Sequence, residues 1–269
     1  MNNFFILLKD KSLVFMLNSY AKRFSLKSYD GINWSGLTGF EQIVTNGVST
    51  YYAIVYATSR IVTFNQFWIY QGYRSLPYSN TYTAKWVDGY FYFSSDNYFY
   101  KTYSNYAVIK YYQNTKAFYR EFFYDSSSSK FYVAPYNLYR IDVFDISCSL
   151  IQSISLGNQQ PYALVGFNRN LYASVLNNNQ VLVIQDGLVT KYFTVNQCPI
   201  AKSQISSITV DSFGYLAMSC FASNQVVVYD SNGNYMNTST STSPNPYITA
   251  IDSKGRFVLM SSTSLDIYY

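Results

Sequence analysis

The feature that most restricts what this chain can fold into is an internal repeat, with a period of about 40 residues, the length of one propeller blade or solenoid unit. Its clearest instance joins Ile208 to Gly214 with Thr249 to Gly255, so that Asp211 matches Asp252 and Gly214 matches Gly255 at one common spacing. A second match pairs Asn179, Gln180 and Val181 with Asn224, Gln225 and Val226, each followed by an apolar stretch that ends near Asp186 or Asp230. Carrying the same strand backwards gives equivalent positions at Leu13, Tyr52, Phe91, Phe131, Leu171, Leu216 and Phe257, in nearly even steps of which Leu171 to Leu216 is the longest. Helical solenoids of this period need amphipathic helices, and none is visible; several short strands per period indicate propeller blades instead.

Alternation and turn residues divide one unit into strands at Ser207 to Val210, Tyr215 to Phe221, Gln225 to Tyr229 and about Asn234 to Ser239. The intervening turns carry Asp, Asn and Gly, which tolerate positive φ. Such a sheet has two faces and cannot bury both alone, so copies stack around an axis. The expected fold is all-β: a single β-propeller over residues 1–269, built from four-stranded antiparallel blades. Seven blades are expected, at about 4–38, 39–75, 76–113, 114–156, 157–197, 198–241 and 242–269, with six as runner-up if the terminal units merge. The first blade is expected to begin with its innermost strand at Phe4 to Lys9, and the last to be incomplete.

Composition agrees with strands. The chain holds 31 Tyr and 20 Phe, residues that suit a pleated, half-buried surface. An A/T-rich genome is an equal explanation of the Tyr, Phe and Asn content. Charged residues make up only 12%, and the formal net charge of +5 is spread along the chain.

The segment from Ile208 to Gly233 resembles an NHL-type propeller repeat. Asp211, Gly214, Asn224, Val226, Val228, Asp230 and Gly233 fill the places of its pattern, an apolar strand ending in Asp, a Gly turn, and then Asn, alternating Val, Asp and Gly. The front half, up to about Asp145, keeps the strand rhythm and replaces the motif with aromatics. The resemblance implies a propeller that serves as an interaction module; a minority of such proteins bind RNA or, with metal-binding His and Glu, act as lyases or lactonases.

This chain has no histidine, which removes the commonest metal ligand and the side chain best suited to proton transfer at neutral pH. Glutamates number two, Glu41 and Glu121, and no pair of carboxylates suggests glycosidase chemistry. Asp211, Asp230 and Asp252 read as turn formers. No catalytic residue, metal or cofactor is expected, and the protein is not expected to be an enzyme.

Binding is expected on one rim, where loops from every blade converge. Just beyond the strands that start at the equivalent positions stand Ser19, Thr58, Asn97, Asn137, Asn177, Ala222 and Thr263, with Asn18, Tyr20, Asp96, Tyr136 and Asn178 beside them. These are equally good turn formers. Trp34, Trp68, Tyr70, Tyr73, Trp86, Tyr112 and Tyr119 form a second, aromatic candidate patch. The expected partner is a protein or glycan ligand, and the alternative is a structural role in a larger extracellular assembly. Basic residues interleave with aromatics between Lys101 and Arg140 but nowhere cluster densely, so a single-stranded nucleic acid is the less favoured partner.

Two sequons, at Asn33 and Asn237, fall in expected connections and are glycosylation candidates. Of three cysteines, Cys198 and Cys220 are placed to bridge the entry of one repeat to its second strand, while three unpaired thiols fit as well. These features tilt the expected location to the cell surface or outside the cell, with the cytoplasm as alternative. No apolar run is long enough to provide a membrane span, and Phe4 to Leu8 fits a repeat start better than a signal peptide.

Overall fold

A computed structural model describes residues 22–25, 40–45, 50–65, 70–176, 178–198, 204–240, 248–251, 257–260 and 264–268. The described strands form six four-stranded antiparallel sheets arranged as a β-propeller. Five sheets are contiguous in sequence. Counted from their innermost strands Phe40–Thr45, Thr81–Val87, Tyr119–Asp125, Pro161–Phe167 and Ile205–Val210, they end at Ser75, Gln113, Ser155, Thr194 and Thr240. Among the described residues there is no helix long and apolar enough to cross a membrane.

The sixth sheet corrects the expected blade plan. Its inner three strands, Ile248–Ile251, Phe257–Met260 and Ser264–Tyr268, come from the end of the chain, and its outermost strand is Lys22–Ser25 from the beginning. Lys22 pairs with Ile267, and Ser25 with Ser264. The innermost strand of each sheet lies against the next around a closed cycle, with Ile248–Ile251 meeting Phe40–Thr45 directly. That contact leaves no gap for an independent blade over 4–38, so a seven-bladed ring with an incomplete last blade is overturned. The edge of the last sheet is covered by a distant piece of the same chain, a pairing that local strand rhythm does not encode. Phe4 to Lys9 and Leu13 lie outside the described residues.

Within the contiguous sheets, Tyr52, Phe91, Phe131, Leu171 and Leu216 all fall in second strands, as does Phe257 in the sixth. Turn chemistry explains the punctuation. Asp211 accepts bonds from the Phe213 and Tyr215 amides at 2.9 and 2.8 Å, and Asp230 from those of Asn232 and Asn234 at 2.9 and 2.8 Å. Asp145 does the same for Ser147 and Ser149. Asp252 lies outside the described residues.

The core lies between sheets, and its chemistry changes around the ring. Between the second and third sheets it is aromatic, with Tyr92, Phe99, Phe122, Phe131 and Phe144 in one cluster. Phe99 and Phe144 stand 4.8 Å apart, and Tyr92 and Phe131 4.3 Å. Between the third and fourth sheets the corresponding layer is aliphatic, with Ile141, Val143, Leu164, Val175 and Leu182. Much of the tyrosine content is therefore structural: each aromatic ring brings a large apolar area to the interface, and edge-to-face packing adds to it. Within the third sheet the wholly buried Asp142 is compensated by an ion pair with Arg140 at 2.8 Å and by bonds donated from Tyr119 and Ser153 at 3.0 and 2.6 Å. A buried carboxylate without such partners would be strongly destabilising.

The second aromatic patch expected from sequence is dispersed by this packing. Tyr119 is buried, and Trp86 and Tyr112 are half-buried against the inter-sheet clusters. Tyr73 is exposed, with the Arg60 guanidinium 4.5 Å from its ring centroid. Trp34 and Trp68 lie outside the described residues.

Asn237 sits in the outermost strand Tyr235–Thr240, opposite Val228, and not in a connection as expected. It is exposed, because outermost strands present one edge to solvent. Asn33 lies outside the described residues. Cys198 and Cys220 are joined as a disulfide with their Cα atoms 5.5 Å apart, tying the approach to the fifth sheet to that sheet's second strand. Cys148 is a buried free thiol, and burial pushes its pKa up to about 12, which disfavours the nucleophilic thiolate.

Candidate functional site

Every contiguous sheet carries a register shift at the same place, near the start of its innermost strand. Phe40 opposes Val55 and Gln42 opposes Ile54, which leaves Glu41 as an extra residue. The same irregularity makes Tyr82, Arg120 and Ser206 extra, and places Tyr162 and Ala163 opposite a single residue. A bulge bends the strand and re-aims the side chain of its extra residue. Strand starts and the second-to-third connections lie at the same end of the sheets, so these residues meet the rim loops expected to bind.

Four neighbouring sheets contribute to one cluster there. The Arg120 guanidinium lies between two tyrosines, 5.2 Å from the Tyr82 ring centroid and 4.2 Å from that of Tyr162. Tyr56, from the first sheet's second-to-third connection, stacks on Tyr82 at 4.6 Å. Tyr136 stands edge-on to both Tyr82 and Tyr162, at 6.4 and 6.3 Å, and stacks with the exposed Phe118 at 5.8 Å. A guanidinium over aromatic faces gains cation–π stabilisation.

Asp96 anchors the cluster. It accepts a hydrogen bond from the Tyr82 hydroxyl at 2.9 Å and another from the Asn80 amide at 2.5 Å. Burial, the Tyr56 hydroxyl and the Asp96 carboxylate together hold the Tyr82 pKa far above that of a free phenol. Tyr82 therefore stays protonated and serves as a fixed donor. The Arg120 backbone is held as well, its carbonyl accepting from Ser94 of the neighbouring sheet at 2.6 Å.

Further along the inner strands, Lys85 lies 5.4 Å from the Phe123 ring centroid. It is half-buried. Burial lowers its pKa, against the opposing pull of Glu121.

The expected rim residues have different fates. Asp96 and Tyr136 join through their common neighbour Tyr82. Asn137 turns its amide to the chain, donating to the Lys116 carbonyl and accepting from the Phe118 amide, both at 2.8 Å, so it latches the loop that enters the third sheet. Asn97 is half-buried; its carbonyl accepts the Asn114 amide, and its Oδ1 is buried without a partner among the described residues. Asn178 is exposed and bonds Gln180 at 2.8 Å, while Thr58 is exposed on a short 3-10 turn. Among the described residues no contact joins Thr58 or Asn178 to the Arg120 cluster. Asn18 and Tyr20 lie outside the described residues.

Sequence reasoning missed Tyr82 and Tyr162, and took Arg120 only as one of the basic residues interleaved with aromatics. Their signal is positional: each lies one strand and one turn before its second-strand reference residue, Phe91, Phe131 or Leu171. Their chemistry differs from sheet to sheet, so no repeat pattern exposes them.

No known protein-family pattern matches the chain, and no curated protein matches it in sequence. Solved structures do match in shape. The WD40 β-propeller domain of Doa1 superposes with a TM-score of 0.66 at 12% identity, covering 91% of this chain and 95% of that one. A streptogramin B lyase gives 0.67 at 13% identity, covering 93% and 87%, and the virginiamycin B lyase from Staphylococcus aureus 0.65 at 15%, covering 92% and 87%. At these identities the likeness is one of fold, and the fold hosts unrelated functions.

Proposed function

We propose that this chain is a non-catalytic recognition module that binds a protein segment or a glycan across the rim where Tyr56, Arg120, Tyr136 and Phe118 reach solvent, backed by the buried Tyr82 and Tyr162. The observation that carries this reading is the Arg120 guanidinium set between Tyr82 and Tyr162, with Tyr136 and the exposed Phe118 beside it. Arg and Tyr dominate interface hot spots because they combine apolar area with directed hydrogen bonds at low entropic cost, which favours a protein segment over a glycan. A chain without histidine lacks the usual proton-transfer group, which supports a binding role. The Cys198–Cys220 bridge supports work outside the cell or at its surface, where disulfides persist.

The test is to screen the whole chain against a displayed peptide library and a glycan array, then measure affinity for what is captured. Arg120→Ala is expected to weaken the captured ligand by at least about thirtyfold, the hot-spot threshold of about 2 kcal/mol, and Tyr136→Ala to act in the same direction. A captured ligand whose affinity neither substitution changes would refute the rim as the binding surface.

A further inference from the structure

At the opposite end of the sheets, a groove of about 810 Å³ opens between the third and fourth sheets. Its origin lies in a departure from the repeat. Tyr52, Tyr92, Tyr132 and Tyr172 recur at an even interval, at one place in the second strands. In the second sheet the Tyr92 hydroxyl donates to the Ile146 carbonyl of the next sheet at 2.8 Å, and in the fourth sheet Tyr172 donates to the Ser231 carbonyl at 3.1 Å. Both acceptors lie in the turn between a third and a fourth strand, just after Asp145 or at the start of the Asp230 turn.

The corresponding turn facing Tyr132 is only Asp186 and Gly187, between Gln180–Gln185 and Leu188–Thr194. Its counterparts run from 146 to 149 and from 230 to 234. The missing residues remove the carbonyl that would cap Tyr132 from the next sheet; its hydroxyl instead bonds Ser128 of its own sheet, on the groove wall near Asp125 and Asp186. Gly187, with φ of +80°, makes so tight a turn possible.

The lining identifies what fits. Tyr132 and Phe123 set two rings side by side, inclined by 29° with centroids 6.5 Å apart. Gln152, Asn168 and Asn170 add amides that both donate and accept. Asp125 and Asp186 are balanced by Lys130 and Arg169, so the groove has no net charge with which to select an ion. Its volume lies within the usual range for small-ligand sites, about 300–1,000 Å³. An aromatic floor with mixed donors and acceptors and no net charge matches a pyranose ring, which has an apolar C–H face and a rim of hydroxyls. A nucleic-acid strand would need excess cationic charge.

We infer that the groove between the third and fourth sheets, floored by Tyr132 and walled by Gln152, Asn168 and Asp186, is a binding site for a neutral saccharide. It is separate from the Arg120 rim and does not depend on what that rim binds.

The test uses the whole chain and three probes: methyl β-glucopyranoside, methyl β-galactopyranoside and methyl α-mannopyranoside. Saturation-transfer NMR and titration followed by tyrosine fluorescence read binding. At least one glycoside is expected to bind saturably. Gln152→Trp fills the groove from an exposed strand position, so it should weaken that glycoside at least about tenfold, with the fold checked by circular dichroism. Asp186→Asn preserves a residue type that tolerates the positive φ there and should weaken binding a few-fold, the scale of one hydrogen bond. Tyr136→Ala, on the opposite rim, should leave it unchanged. Absence of saturable binding by all three probes, binding indifferent to Gln152→Trp, or binding lost with Tyr136→Ala would each overturn the assignment.

Discussion

Asp145 and Asp230 close equivalent turns, and each carboxylate caps the backbone amides two and four positions on. Slight burial pushes both pKa values up, but the hydrogen bonds from Ser147 and Ser149, and from Asn234 and Asn232, outweigh it, so both lie below the ordinary 3.8. Asp125 behaves in the same way through Ser128 and Ser127. A folded-state pKa below the unfolded one means that the ionised form stabilises the fold. That contribution is complete above the ordinary carboxylate value and is lost as pH falls through the depressed one. Because these groups are largely exposed, water screens them and each contributes little. The thermal midpoint should therefore hold from neutral pH to about pH 4 and fall below it. The double variant Asp145→Asn, Asp230→Asn should melt with a shallower acid limb, measured by circular dichroism across the acidic range. The turn role of Asp230 was legible from its Asp-x-x-Gly spacing, whereas those of Asp145 and Asp125, whose turns lack the Gly, were not; nor was the role of Arg120, because its neighbours come from other sheets.

At the scale of strands, the recurring bulge decides which side chains reach the rim, and close packing decides how tightly sheets approach. Gly166, on the innermost strand of the fourth sheet, shows the second effect. A Cβ added there would stand 2.2 Å from a Phe123 ring carbon of the third sheet, and Phe123 is itself confined beside Tyr132 and Lys85. Overpacking of this kind typically costs about 1–3 kcal/mol. Gly166→Ala should lower stability by about that amount in chemical denaturation, and the additional change Phe123→Leu should recover part of the loss. Strand boundaries were readable from alternation: Gln225–Tyr229 follows the sequence reading residue for residue, and Tyr235–Thr240 differs by one. The bulges were not readable, since an inserted residue shifts register without leaving a mark in local hydropathy.

At the scale of the whole molecule, the last sheet is completed by a strand from early in the sequence. Lys22–Ser25 covers the outer edge of Ser264–Tyr268, and the innermost strand of the same sheet meets Phe40–Thr45, so the closing sheet belongs to both ends of the chain. Successive N–H groups along a strand point to opposite sides, so replacing both Arg23 and Phe24 by proline removes whichever donor faces Ser264–Tyr268. The double variant should melt at a lower temperature and be cleaved faster near its ends by a dilute protease. Unchanged melting and cleavage would mean that this pairing contributes little to closure. What the sequence determined by itself was the repeating strand unit, its turns and the absence of histidine chemistry, because these follow from local spacing and side-chain type. The number of sheets, the burial of tyrosines such as Tyr92, Tyr100, Tyr119 and Tyr172, and the meeting of Arg120 with Tyr82 and Tyr162 were decided only by tertiary structure. Those properties depend on which residues of different sheets meet when the ring closes, and closure pairs segments as remote in sequence as Lys22 and Ile267.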